Sequence, residues 1–331
     1  MLYSALLCPL SILPILSLSF PLEENGVDGG PIAIPIFGMS ERAFKEPDPE
    51  VGKRLEKWTE TSDVNPEEYG EYLEGDILMP SVSRNGLVAE TYRWKNGEIP
   101  YEIAGAFPPD SLSMIHRAMD LYKKYTCVSF RKRLPTDESY ISITNTKTGC
   151  WSSVGRVGGK QELNLQSPSC TTKLGTPVHE LMHAAGFLHE QNRNERDDFV
   201  SIIWGNIQSG HERNFDKAEK GTAQGYGVNY DFKSVMHYSS TAFSTNGQPT
   251  IVSKDPKYSE KMGQRDGFSK GDITKINAMY NCPEKTAAVT NGGATGTGGE
   301  GGKPSGEKDG SSNPFMQAAS HLLSLFINKK K

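Results

Sequence analysis

Within eleven residues the chain places His179, Glu180, His183 and His189. Histidines four apart on a helix are separated by about 40° of rotation, so the imidazoles of His179 and His183 point to one side. A third histidine six residues further on would lie about 240° round a continuing helix, on the wrong face. The helix must therefore stop between them, and Gly186 is the residue that can take a positive φ and turn the chain so that His189 swings back. Three neutral imidazoles with a fourth position open describe a catalytic zinc site rather than a closed structural one. Glu180, next to the first histidine, is placed to hold and deprotonate a water there.

The elements that must carry these groups can be read around them. Thr176-Pro177 marks the start or first turn of the zinc helix. Upstream, Ile99-Pro100-Tyr101-Glu102-Ile103 reads as a strand. Asp110 or Ser111 is expected to cap a helix with Leu112, Ile115, Met119 and Tyr122 on one face. Strand-like runs follow at Val128–Phe130, Tyr140–Ile143 and Glu162–Leu165, which makes the body α+β. His116, beside the apolar stripe of that helix, has no metal-binding neighbour within a turn and is read as a packing or surface residue.

The ends differ from the body. Residues 2–20 are uncharged and rich in Leu, Ile and Pro, which fits a secretory signal peptide over residues 1–20 better than a spanning helix broken by Pro9 and Pro14. The following stretch to Arg84 holds 15 acidic residues against 6 basic ones and no cysteine, the composition of a propeptide over residues 21–84. The body spans residues 85–283. Residues 284–331 are a Gly/Ser-rich linker and a short apolar tail ending in lysines, which offers the one route to membrane contact. The net charge of −4 argues against a nucleic-acid partner. Export would remove Cys8, leaving Cys127, Cys150, Cys170 and Cys282 as two bridges, for which sequence alone permits three pairings.

A second motif, Ser234-Val235-Met236-His237-Tyr238, follows the extended pattern H-E-x-x-H-x-x-G-x-x-H. Together with Glu190, Gly149-Cys150-Trp151, Asp197–Val200 and Gly263-Gln264-Arg265, it resembles the astacin family of secreted zinc endopeptidases, within the metzincin clan. The resemblance implies a zincin-like α+β domain, with an N-terminal twisted mixed sheet, two long helices and a less regular C-terminal subdomain holding a Met-turn. It implies that His179, His183 and His189 bind one zinc ion, and that Glu180 is general base and then proton donor. Tyr238 would be a mobile fifth ligand that turns to the oxyanion, Met236 the apolar floor of the site, and His237 structural. It implies disulfides Cys127–Cys282 and Cys150–Cys170.

The same resemblance implies a zymogen cut after Arg84 by a trypsin-like protease, the new ammonium of Asn85 reaching Glu190. Leu73-Glu74-Gly75-Asp76 resembles the family's inhibitory F-x-G-D element, so Asp76 would ligate zinc in the zymogen only. Arg265 would line a pocket that grips an acidic side chain just after the scissile bond. The expected partners are protein or peptide substrates outside the cell. The competing reading is a catalytically silent binding or adhesion module on the same fold.

Overall fold

The computed structural model describes residues 45–79, 92–218 and 225–283. The expected signal peptide, Arg84, Asn85 and the C-terminal tail lie outside the described residues. Among the described residues no helix is long and apolar enough to cross a membrane.

The acidic segment before Arg84, the leader, contributes α1 (Pro49–Leu55), capped by the Asp48 side chain, which accepts from the Glu50 backbone N–H. The body opens with β1 (Glu98–Ile103) and α2 (Pro109–Tyr125). The helix starts ahead of both expected caps. Pro109 fills its first turn, where a missing N–H costs nothing, and Asp110 lies inside that turn rather than before it. On its inner face Ile115, Met119 and Tyr122 are buried, while His116 is exposed.

Strands β2 (Ser129–Lys132), β3 (Tyr140–Thr144), β4 (Cys150–Ser152) and β5 (Lys160–Leu165) complete a sheet of order β2-β1-β3-β5-β4. Its first four strands are parallel and β4 runs antiparallel to β5 at one edge. The short α3 (Ser169–Thr172) leads into the zinc-motif helix α4 (Gly175–Ala185). Helices α2 and α4 pack on one core with the sheet, where Ile99, Ile141, Ile143, Leu163, Val178, Leu181 and Met182 are inaccessible to solvent. The Tyr122 hydroxyl donates to the Val178 carbonyl at 2.8 Å, pinning the two helices together.

Beyond Gly186 regular structure thins out. A hairpin of β6 (Val200–Ile202) and β7 (Ile251–Ser253) and several single 3-10 turns surround a second core of Phe215, Tyr230, Phe232 and Phe243. Helix α5 (Lys270–Met279) returns to the first core through Ile276 and Met279. Cys127 is bonded to Cys282, tying the end of α2 to the end of α5, and Cys150 is bonded to Cys170, tying β4 to α3.

Candidate metal centre and cleft

Helix α4 ends where the spacing of the histidines requires it to end. Gly186 takes φ 114°, and its N–H closes back on the helix end, so the next residues leave at an angle. The result brings His189 to the other two. The ligand-capable atoms of Asp76, His179, His183 and His189 all lie within 4.8 Å of one another, fully buried.

Each imidazole is held through its other nitrogen. His179 Nδ1 donates to the Val235 carbonyl at 2.7 Å, and His183 Nδ1 to the Phe187 carbonyl at 2.8 Å. His189 Nδ1 donates to the Glu74 carboxylate at 2.7 Å. These acceptors fix the tautomers and aim all three Nε2 atoms inward. The Nε2 atoms of His179 and His183 then face each other at 3.1 Å, two lone pairs with no proton to share. Asp76 Oδ2 lies 2.9 Å from His179 Nε2 and 3.4 Å from His189 Nε2. His189 Nε2, Asp76 Oδ1 and both Glu180 carboxyl oxygens are buried without hydrogen-bond partners. A single cation at the focus of these atoms would satisfy the histidines and Asp76 together. Imidazole nitrogens with one carboxylate oxygen are a donor set that suits zinc.

The charges respond to this crowding. Burial and the nearby Arg265 guanidinium push the His179 ring down to about 4. Burial also acts to lower His189, but the Asp76 and Glu74 carboxylates outweigh it and lift that ring to about 9. Burial opposes the charge on Asp76 as well, yet the His189 and His183 rings hold its carboxyl well below the usual range. Glu180 is pushed well above the carboxylate range by burial and by the Asp76 and Glu67 charges beside it.

The turn Ser234–Tyr238 meets the site through the Val235 carbonyl, which accepts from His179. Ser234 Oγ donates to Asp272 Oδ1 at 2.6 Å and the Val235 N–H to Asp272 Oδ2 at 2.9 Å, while Asp272 also closes a capping box with Ser269 at the start of α5. Met236 is buried in the main core beside Val235 and Met182. His237 sits apart from the other histidines. Its Nδ1 donates to the Tyr238 carbonyl and its Nε2 accepts from the Tyr230 hydroxyl at 2.7 Å. The Tyr238 hydroxyl donates to the Glu74 carbonyl, so the leader holds this side chain.

The leader crosses the cleft as an ordered segment. Glu74 and Gly75 both have positive φ (48° and 88°), and the Ile77 N–H donates across them to the Leu73 carbonyl at 2.9 Å. Two left-handed residues in succession reverse the chain sharply, and the turn delivers Asp76 to the histidines. A side chain at Gly75 would meet the Phe243 ring at 2.7 Å, so only glycine fits. Beyond the turn, the Ser152 N–H donates to the Asp76 carbonyl at 2.9 Å and the Leu78 N–H to the Ser152 carbonyl at 3.0 Å. The leader thus makes a parallel bridge to β4 at that edge, Ile77 opposite Ser152.

Two leader carboxylates the sequence reading passed over make the remaining anchors. Arg265 Nε donates to Glu67 Oε1, and both side chains are buried. Arg265 Nη1 reaches the His237 and Gln264 carbonyls, while Nη2 has no partner. Glu68 accepts from the Ser239 N–H and hydroxyl, both at 2.6 Å. The only local signal for these residues is Asn65-Pro66-Glu67-Glu68, which forms a capping box in which Glu68 also serves the Asn65 N–H. Glu190 accepts from Lys275 and Arg193, both of which sequence reasoning missed. Asn85, expected beside Glu190, is outside the described residues.

The body of the chain is similar to known proteins. The family model described as Astacin, a peptidase family, matches residues 87–281. Zinc metalloproteinase nas-15 of Caenorhabditis elegans is 46% identical over 213 residues, covering 63% of this chain and 36% of that protein. Human meprin A subunit beta is 41% identical over 212 residues, covering 63% of this chain and 30% of that protein. The chain thus spans about a third of the length of each of these relatives. Among solved structures, high choriolytic enzyme 1, a hatching enzyme zinc-protease of the medaka Oryzias latipes, is 38% identical with a TM-score of 0.53 and covers 58% of this chain and 94% of that one. These matches fall on the α+β body that carries the histidine cluster and the Met-turn, and on that basis the chain belongs to the astacin family of peptidases.

Proposed function

We propose that this protein is a secreted zinc endopeptidase made as a zymogen, and that it hydrolyses peptide bonds of extracellular proteins. The observation that carries the reading is the convergence of three tautomer-fixed Nε2 atoms on one point beside a Glu180 carboxyl with no other partner. Zinc bound there supplies Lewis acidity toward a carbonyl and a water. Glu180 takes the proton from that water and passes it to the leaving amine. Tyr238, released from Glu74, donates its hydroxyl to the oxyanion that develops on the scissile carbonyl. Once the leader leaves it, the edge of β4 would accept the substrate main chain by strand addition.

The leader's contacts favour the zymogen reading. Asp76 takes the focus of the three imidazoles, Glu74 occupies His189 and Tyr238, and the Asp76–Leu78 segment fills the β4 edge. Asp76 and Glu67 also place two negative charges near Glu180 and disfavour its ionised form. Removal of the leader by a trypsin-like protease after Arg84 would restore the base and the cleft together. The preference for an acidic residue just after the scissile bond is supported by Glu67. The one side chain paired with the Arg265 Nε is a carboxylate, and Nη2 is left to complete a two-pronged grip. Two disulfides suit the oxidising route of a secreted protein.

Glu180→Gln keeps the shape and removes the base. The trimmed variant should retain about one zinc per chain and lose at least about a thousandfold in kcat, the scale of a lost general base. Hydrolysis that survives this change would refute the assigned chemistry.

A further inference from the structure

Tyr238 is held by two different parts of the chain. Its hydroxyl donates to the Glu74 carbonyl of the leader. The peptide between His237 and Tyr238, by contrast, is fixed at both ends from within the body. Its carbonyl accepts from Arg265 Nη1 at 3.2 Å, and its N–H donates to Gln191 Oε1 at 3.1 Å. In the next peptide the Tyr238 carbonyl accepts from His237 Nδ1 at 2.8 Å, while the Ser239 N–H donates to Glu68 of the leader. Loss of the leader would therefore free the Tyr238 hydroxyl and the Ser239 N–H together, and leave the Tyr238 N–H on Gln191.

The surroundings of Gln191 keep that bond in place. The residue is inaccessible to solvent, so a Tyr238 N–H deprived of this acceptor would have no water to turn to. Gln191 Nε2 carries no hydrogen bond, so Tyr238 is the group that orients the carboxamide. The preceding Glu190 N–H donates to the Met236 carbonyl at 3.0 Å, and the turn after His189 thus grips the Met-turn at two alternate residues. Behind it, Arg196 Nη1 donates to the Gln191 carbonyl at 3.1 Å and also to the Phe215 carbonyl. The Phe215 ring stands edge-on to the Tyr238 ring, with centroids 5.8 Å apart. One buried guanidinium thereby ties the residue that holds the Tyr238 backbone to the residue that borders its ring.

We propose that Gln191 is a positioning residue for Tyr238, a fixed pivot that holds the tyrosine backbone in register with the histidine cluster while the released side chain turns to the oxyanion. An oxyanion donor acts fully only when it is aimed in advance, and a misplacement of about 1 Å can cost on the order of a hundredfold in rate. The proposal rests on the role given to Tyr238 under the proposed function.

The test uses the chain trimmed after Arg84 and loaded with zinc, with hydrolysis of a quenched peptide, bound zinc and amide hydrogen exchange across Tyr238 all measured. Gln191→Met keeps the length of the side chain and removes the acceptor. It should lower kcat by about tenfold or more, change KM by less than about threefold, retain about one zinc per chain and speed exchange at Tyr238. In a Tyr238→Phe background, which itself loses the oxyanion donor, the same change should lower kcat by less than about threefold. A kcat within about threefold of the parent, or equal losses in both backgrounds, overturns the proposal, since a residue that merely packs the fold would act regardless of the hydroxyl. If Gln191→Met does not fold, Gln191→Asn, whose shorter side chain stops short of the Tyr238 N–H, is read by the same rule in the same two backgrounds. If Tyr238→Phe alone leaves kcat unchanged, the oxyanion role fails and the proposal falls with it. If no trimmed form cleaves any peptide, the endopeptidase reading fails, and unchanged exchange at Tyr238 in Gln191→Met separately overturns the pivot.

Discussion

Glu67→Gln offers the sharpest test of how the leader occupies the cleft. The substitution keeps size and hydrogen-bonding capacity but removes the charge facing Arg265. The Arg265 side chain is inaccessible and that of Glu67 only 1% exposed, so neither salt nor water can replace the lost partner. Breaking a buried pair from one side costs about 3–5 kcal/mol. Here the His237 and Gln264 carbonyls still receive Nη1, at 3.2 and 2.8 Å, which argues for the lower part of that range. At about 3 kcal/mol, opening of the leader becomes roughly 150-fold more frequent. The assay uses a zymogen made untrimmable by Arg84→Gln and loaded with zinc, its peptide hydrolysis expressed against the trimmed enzyme. Basal hydrolysis should rise by that factor. In an Arg265→Gln background the same Glu67→Gln change should have almost no further effect, because the pair is already broken. A rise of less than about threefold, or equal effects in both backgrounds, would refute the claim that this ion pair holds the leader down.

Two further outcomes follow from the scaffold. Replacing Cys127 and Cys282 by Ser opens a span of 155 residues and should cost about 5 kcal/mol in the chain-entropy account, against about 3 kcal/mol for the 20-residue span of Cys150 and Cys170. Urea unfolding of the two double variants checks the order, which an equal or reversed loss would contradict. Burial pushes the His237 ring down to about 4, so its neutral form is the folded form. Above pH ~6.5 this has no effect on stability. As the pH falls from there to ~4, the unfolded chain binds a proton the folded one does not, and about 3 kcal/mol is lost. His237→Gln should flatten that acid limb of the unfolding curve, and parallel limbs would count against the assignment.

What could be read in advance was what is local. The four-residue and six-residue spacings, with Gly186 between them, dictated a helix, a stop and a return, and the structure contains that geometry. The stripe Ile115, Met119 and Tyr122 announced α2, although proline-first chemistry moved its start ahead of Asp110. Strand β4 was not legible, because three residues, Cys150-Trp151-Ser152, carry no alternation to detect. Glu67 and Glu68 were hidden for a different reason. In an acidic leader they look like solvated charges, and their partners Arg265 and Ser239 lie more than 170 residues away. Lys275 was equally silent, since a lone lysine on an amphipathic helix reads as surface until a buried carboxylate is found above it.

The β4 edge has a consequence for how the molecule survives its own synthesis. An outermost strand with open N–H and C=O groups is a template for sticking to other chains. Asp76–Leu78 covers that template, so this edge of the sheet is guarded in the full chain. On the proposed activation, loss of that guard would leave backbone positions that an extended peptide could take through its main chain. On that reading an aggregation hazard and a substrate-binding edge are two descriptions of one bare strand, separated in time by the proposed cleavage.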